Sequence, residues 1–224
     1  MGIYGPDLSR IHAEAYSDTF RDAFPWLVEQ IRAACSDPSL LDAGCGSGAW
    51  LGFAKDAGIK AQGVDISRDF VDMCVSDGLA VRCADLNTVD LPKGLTAVTA
   101  LGEVLAYRPA ALCPFASEVA RALEPGGVFL FDLTSPGCVG HAVRSAGEGW
   151  TLTADIEVDG AILTRTITTD VGGHVRTERH QQVLFEPKDV VSLLSELGFH
   201  VEIMPSYGPV ALLPGRFAVK AIRV

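Results

Sequence analysis

The chain lacks a C-x-x-C pair, lacks an apolar run long enough to span a bilayer, and is short of positive charge. Six cysteines (Cys35, Cys45, Cys74, Cys83, Cys113 and Cys138) show no metal-type spacing, so no metal site is expected and reduced thiols in a cytoplasm fit best. Lys and Arg number 18 against 28 Asp and Glu, for a formal net charge of −10. The counterion-release drive toward phosphate backbones is therefore missing, which argues against a nucleic-acid partner. The opening residues, Met1-Gly-Ile-Tyr-Gly-Pro-Asp7, have neither the basic nor the apolar region of a secretory signal. No membrane partner is expected. Aromatic residues make up only 8% of the chain, yet Tyr4, Tyr16, Phe20, Phe24 and Trp26, with His12, crowd its start. At 224 residues and 48% hydrophobic, the composition suits one sizeable core with a small elaboration.

What is present is organised around Leu40-Leu-Asp-Ala-Gly-Cys-Gly-Ser-Gly-Ala-Trp50. An apolar strand stops at Asp42 and meets Gly44, Gly46 and Gly48. Glycines at alternate positions permit positive φ and close backbone approach, and the helix that follows offers unpaired N–H groups, so the stretch reads as a nucleotide cradle. Gly44-x-Gly46-x-x-Ala49 also satisfies a dinucleotide fingerprint in form. Cys45 reads as a small residue that fits the turn or as a nucleophile. Downstream, a helix to Ala57 leads to a second strand ending at Asp65. Ser67 opens a third unit, with a strand over 79–83 before Asp85, and a fourth strand over 95–101 runs into Gly102-Glu103. A helix from Pro109 to about Leu123 and the Glu124-Pro-Gly-Gly127 turn precede a fifth strand, 128–131, ending at Asp132. Strands separated by helices imply a parallel sheet with right-handed crossovers, and its ligands lie beyond the carboxyl ends of the strands. Asp42, Asp65, Asp85, Glu103 and Asp132 all fall on that rim. Taken alone, Asp65 and Asp85 read equally as turn carboxylates or as acceptors of ribose-type hydrogen bonds.

The rhythm changes after 149. Two β-rich runs, 150–158 and 161–169, joined at Asp159-Gly160, and a third, 174–185, predict an inserted antiparallel flap. Alternation places Arg176, Glu178, His180 and Gln182 on one face of the third run. Three parts are therefore expected: an N-terminal helical lid (1–38) with Asp7 capping its first helix, an α/β domain (39–149 and 186–224), and the flap (150–185). The loops 135–149 and 206–215 are expected to shape a pocket.

The strings Leu-Asp-Ala-Gly-Cys-Gly-Ser-Gly, Gly-Val-Asp-Ile-Ser, Ala-Asp-Leu and Leu-Glu-Pro-Gly-Gly-Val-Phe-Leu-Phe-Asp, in this order, resemble class I S-adenosylmethionine-dependent methyltransferases. The resemblance implies a Rossmann-like, doubly wound, mostly parallel seven-stranded sheet with an antiparallel last strand. It implies S-adenosylmethionine as cofactor and S-adenosylhomocysteine as product. It assigns Asp42, Gly44, Cys45, Gly46 and Gly48 to the methionine portion, Asp65 to the ribose with Ile66 beside it, and Asp85 and Leu86 to the adenine. Leu101, Gly102 and Glu103 would border the cofactor. A lid and a flap resemble the small-molecule methyltransferases, which implies a small-molecule methyl acceptor at O or N. The Asn-Pro-Pro-Tyr type of tetrapeptide of many DNA and protein-amine enzymes is replaced by Leu101-Gly-Glu-Val-Leu-Ala-Tyr107. Because direct displacement requires no nucleophile, the candidate catalytic residues are groups that handle a proton or orient the acceptor: His180 first, then Tyr16 and His12 on the lid, and Glu103. A homodimer is compatible with all of this. Two other readings stand beside it: a nicotinamide-dependent oxidoreductase, and a non-catalytic protein that binds the cofactor or its product.

Overall fold

The structure, a computed structural model, describes residues 4–137 and 143–224. Two helices open the chain, α1 (Pro6–Ala15) and α2 (Phe24–Ala34), with a 3-10 turn at Arg21–Ala23 between them. Strands and helices then alternate: β1 (Ser39–Ala43), α3 (Ala49–Asp56), β2 (Lys60–Asp65), α4 (Arg68–Ser76), β3 (Val81–Cys83), β4 (Leu95–Ala100), α5 (Leu112–Ala122) and β5 (Leu123–Thr134). Four antiparallel strands follow: β6 (Val143–Gly147), β7 (Trp150–Asp159), β8 (Ile162–Val171) and β9 (His174–Val183). The chain closes with α6 (Pro187–Glu196), β10 (Phe199–Met204), the short β11 (Ser206–Tyr207) and β12 (Val210–Ala211), and β13 (Arg216–Arg223).

Seven strands form one sheet in the order β10-β13-β5-β4-β1-β2-β3. β1 pairs parallel with both β2 and β4, and β13 runs antiparallel to both β5 and β10. Strand order reverses at β1, so a crevice opens between the carboxyl ends of β1 and β4, where such sheets hold ligands. The period-2 alternation of strands divides the core in two. Leu40, Ala97, Val128, Leu130 and Ala218 face α2 and α3, whereas Leu41, Val98, Phe129, Phe131 and Val219 face α5 and α6. Each of those buried large side chains contributes roughly 1.5–3 kcal/mol of transfer free energy, which fixes the register of the strands that carry the rim.

The flap is a separate sheet, β6-β7-β8-β9. Its inner face, with Trp150, Leu152, Ala154 and Ile167, packs on Leu8 and Ile11 of α1, so lid and flap close on each other. Several details differ from the sequence expectations. The helix cap is Gly5, with Pro6 and Asp7 in the first turn, because proline already holds the helical φ at that position. The hairpin loop is Gly160-Ala161, with Asp159 paired to Ile162, one residue later than expected, and Gly160 takes the positive φ (56°). The span 135–149, expected as a loop, contains β6, an edge strand whose exposed residues gave no alternation to detect. The fifth helix starts at Leu112 rather than at Pro109. Cys138 and His141 lie outside the described residues. No helix among the described residues is long and apolar enough to cross a membrane.

Candidate functional site

β1 delivers the glycine turn to the crevice. Gly44, Gly46 and Gly48 have φ of 66°, 54° and 83°, a region that costs an L side chain about 1–2 kcal/mol. A Cβ on Gly44 would also collide with Val104, whereas one on Gly46 would meet nothing. The turn backbone at Gly46 is thus bare on the side where a ligand would lie. Gly46 N donates to Asp65 Oδ2 at 2.9 Å, and Ser67 N donates to Asp65 Oδ1 at 2.8 Å. Burial raises the Asp65 carboxyl, with the hydrogen bonds from Ser67 and Gly46 opposing it. Asp42, 3% exposed, accepts the Thr99 hydroxyl at 2.7 Å, and Trp50 Nε1 donates to the same hydroxyl oxygen at 3.0 Å. Burial pushes the Asp42 carboxyl up to about 7, the Thr99 hydrogen bond pulls it down, and the charge of Asp65 pushes it further up.

On the neighbouring edge, Ile66 is 49% exposed, Leu86 is half-buried and Asp85 is exposed. Asp85 Oδ1 accepts Asn87 N at 2.8 Å and Asn87 Nδ2 at 3.0 Å, an Asx turn that leaves acceptor capacity on the second oxygen. A bare glycine backbone, two buried carboxylates, an exposed apolar side chain and a free carboxylate oxygen form a set that fits a nucleoside bearing a cationic sulfur. A pyrophosphate would be repelled by Asp42 and Asp65.

Beyond β4, Glu103 adopts φ 61°, uncommon for a residue with a side chain. Asp132, fully buried at the end of β5, holds that geometry by accepting Gly102 N at 2.9 Å and Glu103 N at 3.0 Å. It also accepts Tyr207 Oη at 2.8 Å and Arg216 Nε at 2.6 Å. The Glu103 carboxylate pairs with Arg165 of β8 at 3.1 Å and Arg216 of β13 at 3.7 Å, and accepts the Thr134 hydroxyl. Burial raises its pKa, and the Arg216 and Arg165 guanidiniums more than offset that, leaving it below the usual carboxylate range. Glu103 therefore faces two guanidiniums and a hydroxyl where an open cofactor or acceptor contact was expected, and it ties the loop after β4 to the flap.

The candidate proton-handling residues converge on Tyr4. Its ring lies 5.2 Å from His180, 5.4 Å from His12 and from Phe70, and 6.3 Å from Tyr107, by centroids. His180 is 2% exposed. Its Nε2 pairs with Glu178 Oε2 at 2.9 Å, and its Nδ1 is buried without a partner among the described residues. Glu178 also accepts Tyr4 N at 2.9 Å and Gly5 N at 3.0 Å, so one flap carboxylate holds the start of the chain and a histidine together. The His12 Nδ1 and Tyr16 hydroxyl are likewise buried and unpartnered. Burial pushes the His12 imidazole down to about 4, which keeps it neutral and a weak proton acceptor at neutral pH. Sequence reasoning missed Tyr4, Phe70, Tyr107, Arg165 and Arg216 as parts of this site. None had a local signal: even Arg165 is brought directly opposite His180 only by the β8–β9 register of the folded sheet, which places both on one face.

Together the reversal at β1, the glycine turn and the acidic rim define the class I S-adenosylmethionine-dependent methyltransferase fold. Residues 40–127 match the methyltransferase domain family. The sugar N-methyltransferase KedS8 from a Streptoalloteichus species superposes with a TM-score of 0.78 at 23% identity, covering 100% of this chain and 96% of that one. S-adenosylmethionine-bound CalS10, an amino pentose methyltransferase from Micromonospora echinaspora, gives 0.77 at 19% identity, covering 100% and 99%. At these identities the likeness is one of fold. The mouse tRNA (carboxymethyluridine(34)-5-O)-methyltransferase ALKBH8 is 31% identical over 117 residues, 51% of this chain, and the chain spans only 17% of that relative's length.

Proposed function

We propose that the protein transfers the methyl group of S-adenosylmethionine by direct displacement to an amino group on a small, sugar-sized acceptor. The observation that carries this reading is the buried His180–Glu178 pair, whose Nδ1 has no partner among the described residues and so has a lone pair or proton to exchange with an acceptor amine. Bound cofactor would supply an electrophilic methyl on a cationic sulfur. The chain's own residues do the rest. The glycine turn and Asp42 hold the methionine portion, Asp65 the ribose hydroxyls, and Asp85 with Ile66 and Leu86 the adenine. Leu101 and Gly102 border the sulfur. Tyr4, Phe70 and Tyr107 form an apolar wall that excludes water, and such alignment can supply roughly 7–11 kcal/mol of the barrier. His180 is the proton acceptor, with Glu178 positioning it, and Tyr16 and His12 orient the acceptor from the lid.

One neighbour is a sugar N-methyltransferase and another an amino pentose methyltransferase, which supports nitrogen over oxygen as the acceptor atom. The relative that acts on tRNA points elsewhere, but a net charge of −10 disfavours a polyanionic substrate. The test is S-adenosylhomocysteine release measured with panels of amino sugars, simple phenols and bulk tRNA. Turnover confined to the amines, with kcat lowered at least tenfold in His180→Gln, is expected. Turnover only on phenols or tRNA, or a His180→Gln enzyme as fast as wild type, would sink the assignment.

A further inference from the structure

The outer face of the flap carries a cavity of about 280 Å³ that methyl transfer does not use. Strand pairing builds it. Glu157 of β7 lies directly opposite Thr164 of β8, which lies opposite Gln181 of β9, and Asp159 lies opposite Ile162 one outward pair further along. Arg179 and Gln181 flank His180 in sequence, so alternation turns them to the other face of the sheet from it. Arg108, from the loop after β4, completes the lining beside β9, where its N donates to Gln181 O at 2.9 Å. The cavity is thus sorted by charge: two carboxylates on the β7 side, two guanidiniums on the β9 side, and β8 as the floor between them. That floor offers half-buried Ile162 and buried Thr164, whose hydroxyl accepts Gln181 Nε2 at 3.3 Å. The inner-face arginines of the flap, Arg165 and Arg176, are each paired with a carboxylate. Among the described residues Arg108, Arg179, Glu157 and Asp159 form no salt bridge at all, so opposite charges share one cavity without meeting.

We propose that this cavity is a binding site for a small zwitterion with a carboxylate and an ammonium at opposite ends of a short aliphatic chain, an ω-amino acid in class. β7 and β9 are second neighbours, with backbones roughly 9.5 Å apart, so a ligand that meets both signs must carry its charges apart. The guanidiniums of Arg108 and Arg179 take the carboxylate, which their fork of N–H donors fits. Glu157 and Asp159 take the ammonium, and the methylene chain lies over Ile162. With two charges of each sign the lining is neutral overall, so a simple anion or a simple cation is repelled on one side as it is attracted on the other. Occupancy also has a consequence for the fold. Arg108 and Gln181 join the loop after β4 to β9, so a ligand gripped by Arg108 and Arg179 together holds that loop to the strand whose other face carries His180. The site stands on its own lining and does not rest on the methyl-transfer reading.

The experiment titrates ε-aminocaproate into the full-length protein by calorimetry at low ionic strength, where exposed charges are least screened, beside caproate, hexylamine and glycine. Expected is saturable binding of one ε-aminocaproate per chain, with each comparison compound at least tenfold weaker. Arg179→Gln and Glu157→Gln, both at exposed positions, should each weaken that binding at least tenfold. Hydrogen exchange in the peptide that contains Arg108 should slow when the ligand is bound. No binding of ε-aminocaproate, equal binding of caproate or of hexylamine, or an affinity unchanged by either substitution would overturn the proposal. So would a dimer in sedimentation that either substitution dissolves, because the cavity would then belong to a second copy of the chain. If a variant fails to fold, the four compounds compared on the wild type still decide. None of these readouts involves S-adenosylmethionine, so loss of the cofactor reading would leave them standing.

Discussion

Asp42 offers a quantitative check on the rim electrostatics. It is buried, with one hydroxyl donor from Thr99, and burial raises its carboxyl from an ordinary 3.8 to about 7. A raised acid binds a proton in the folded state that the unfolded chain has already released. Its contribution to stability is therefore complete below about pH 4 and is lost as pH rises through about 7, amounting to about 4 kcal/mol in all at about 1.4 kcal/mol per pH unit. Between about pH 5 and pH 8, where the protein is most easily studied, about 2.5 kcal/mol of that loss falls. Asp42→Asn keeps the shape and the acceptor for Thr99 but cannot titrate. The assay is urea denaturation of cofactor-free wild type and variant across that range. The difference in unfolding free energy, wild type minus variant, should fall by about 2.5 kcal/mol and level off above about pH 7. Other titrating groups, Asp65 among them, largely cancel in the difference. A flat difference would show that Asp42 is ionised throughout, and the burial argument for a carboxylate awaiting a cation would fail.

Other consequences are as direct. Arg165→Met removes one of the two guanidiniums that neutralise buried Glu103. It should cost about 1–3 kcal/mol by denaturant midpoint, part of which Glu103→Gln in the same background restores. Gly44→Ala meets both a positive φ and Val104, and should lose about 1–3 kcal/mol of stability together with calorimetric affinity for S-adenosylhomocysteine. Glu178→Ala frees the amides of Tyr4 and Gly5, whose hydrogen exchange should quicken at least tenfold, about 1.4 kcal/mol, while exchange in β4 and β5 stays unchanged.

How much of this was legible in the sequence depended on how local the cause was. The sheet could be read because each βα unit carries its own signals: an apolar run, an acid at its end, then a glycine or a cap. The acidic rim followed, because Asp42, Asp65, Asp85 and Glu103 each lie within three residues of a strand's carboxyl end and parallel pairing brings the ends together. β6 had no such signal, and its neighbours shape it only by pairing along β7. The charge cluster was equally hidden. Arg165 and Arg216 lie 62 and 113 residues beyond Glu103, and nothing local says that a threonine-rich flap strand aims a guanidinium at the loop after β4. His180 could be placed on a face of β9 by alternation, but not on the buried side, since burial depends on α1 and Tyr4 arriving from the other end of the chain.

That long-range assembly bears on how the two halves of the site act together. Glu103 follows the end of β4, and its carboxylate is held by an arginine of the flap and an arginine of the last strand. Gln182, two residues from His180, reaches Glu103 O at 3.4 Å and is bonded by Arg165. Tyr107, at the end of the same loop, bridges to Gln182. The loop after β4 is therefore joined to β9 through groups already in contact, and β9 holds both the histidine and the carboxylate that pins Tyr4. Buried charge pairs of this kind contribute little net stability against an apolar alternative. What they supply here is a fixed spacing between the end of β4 and the flap strand that carries His180.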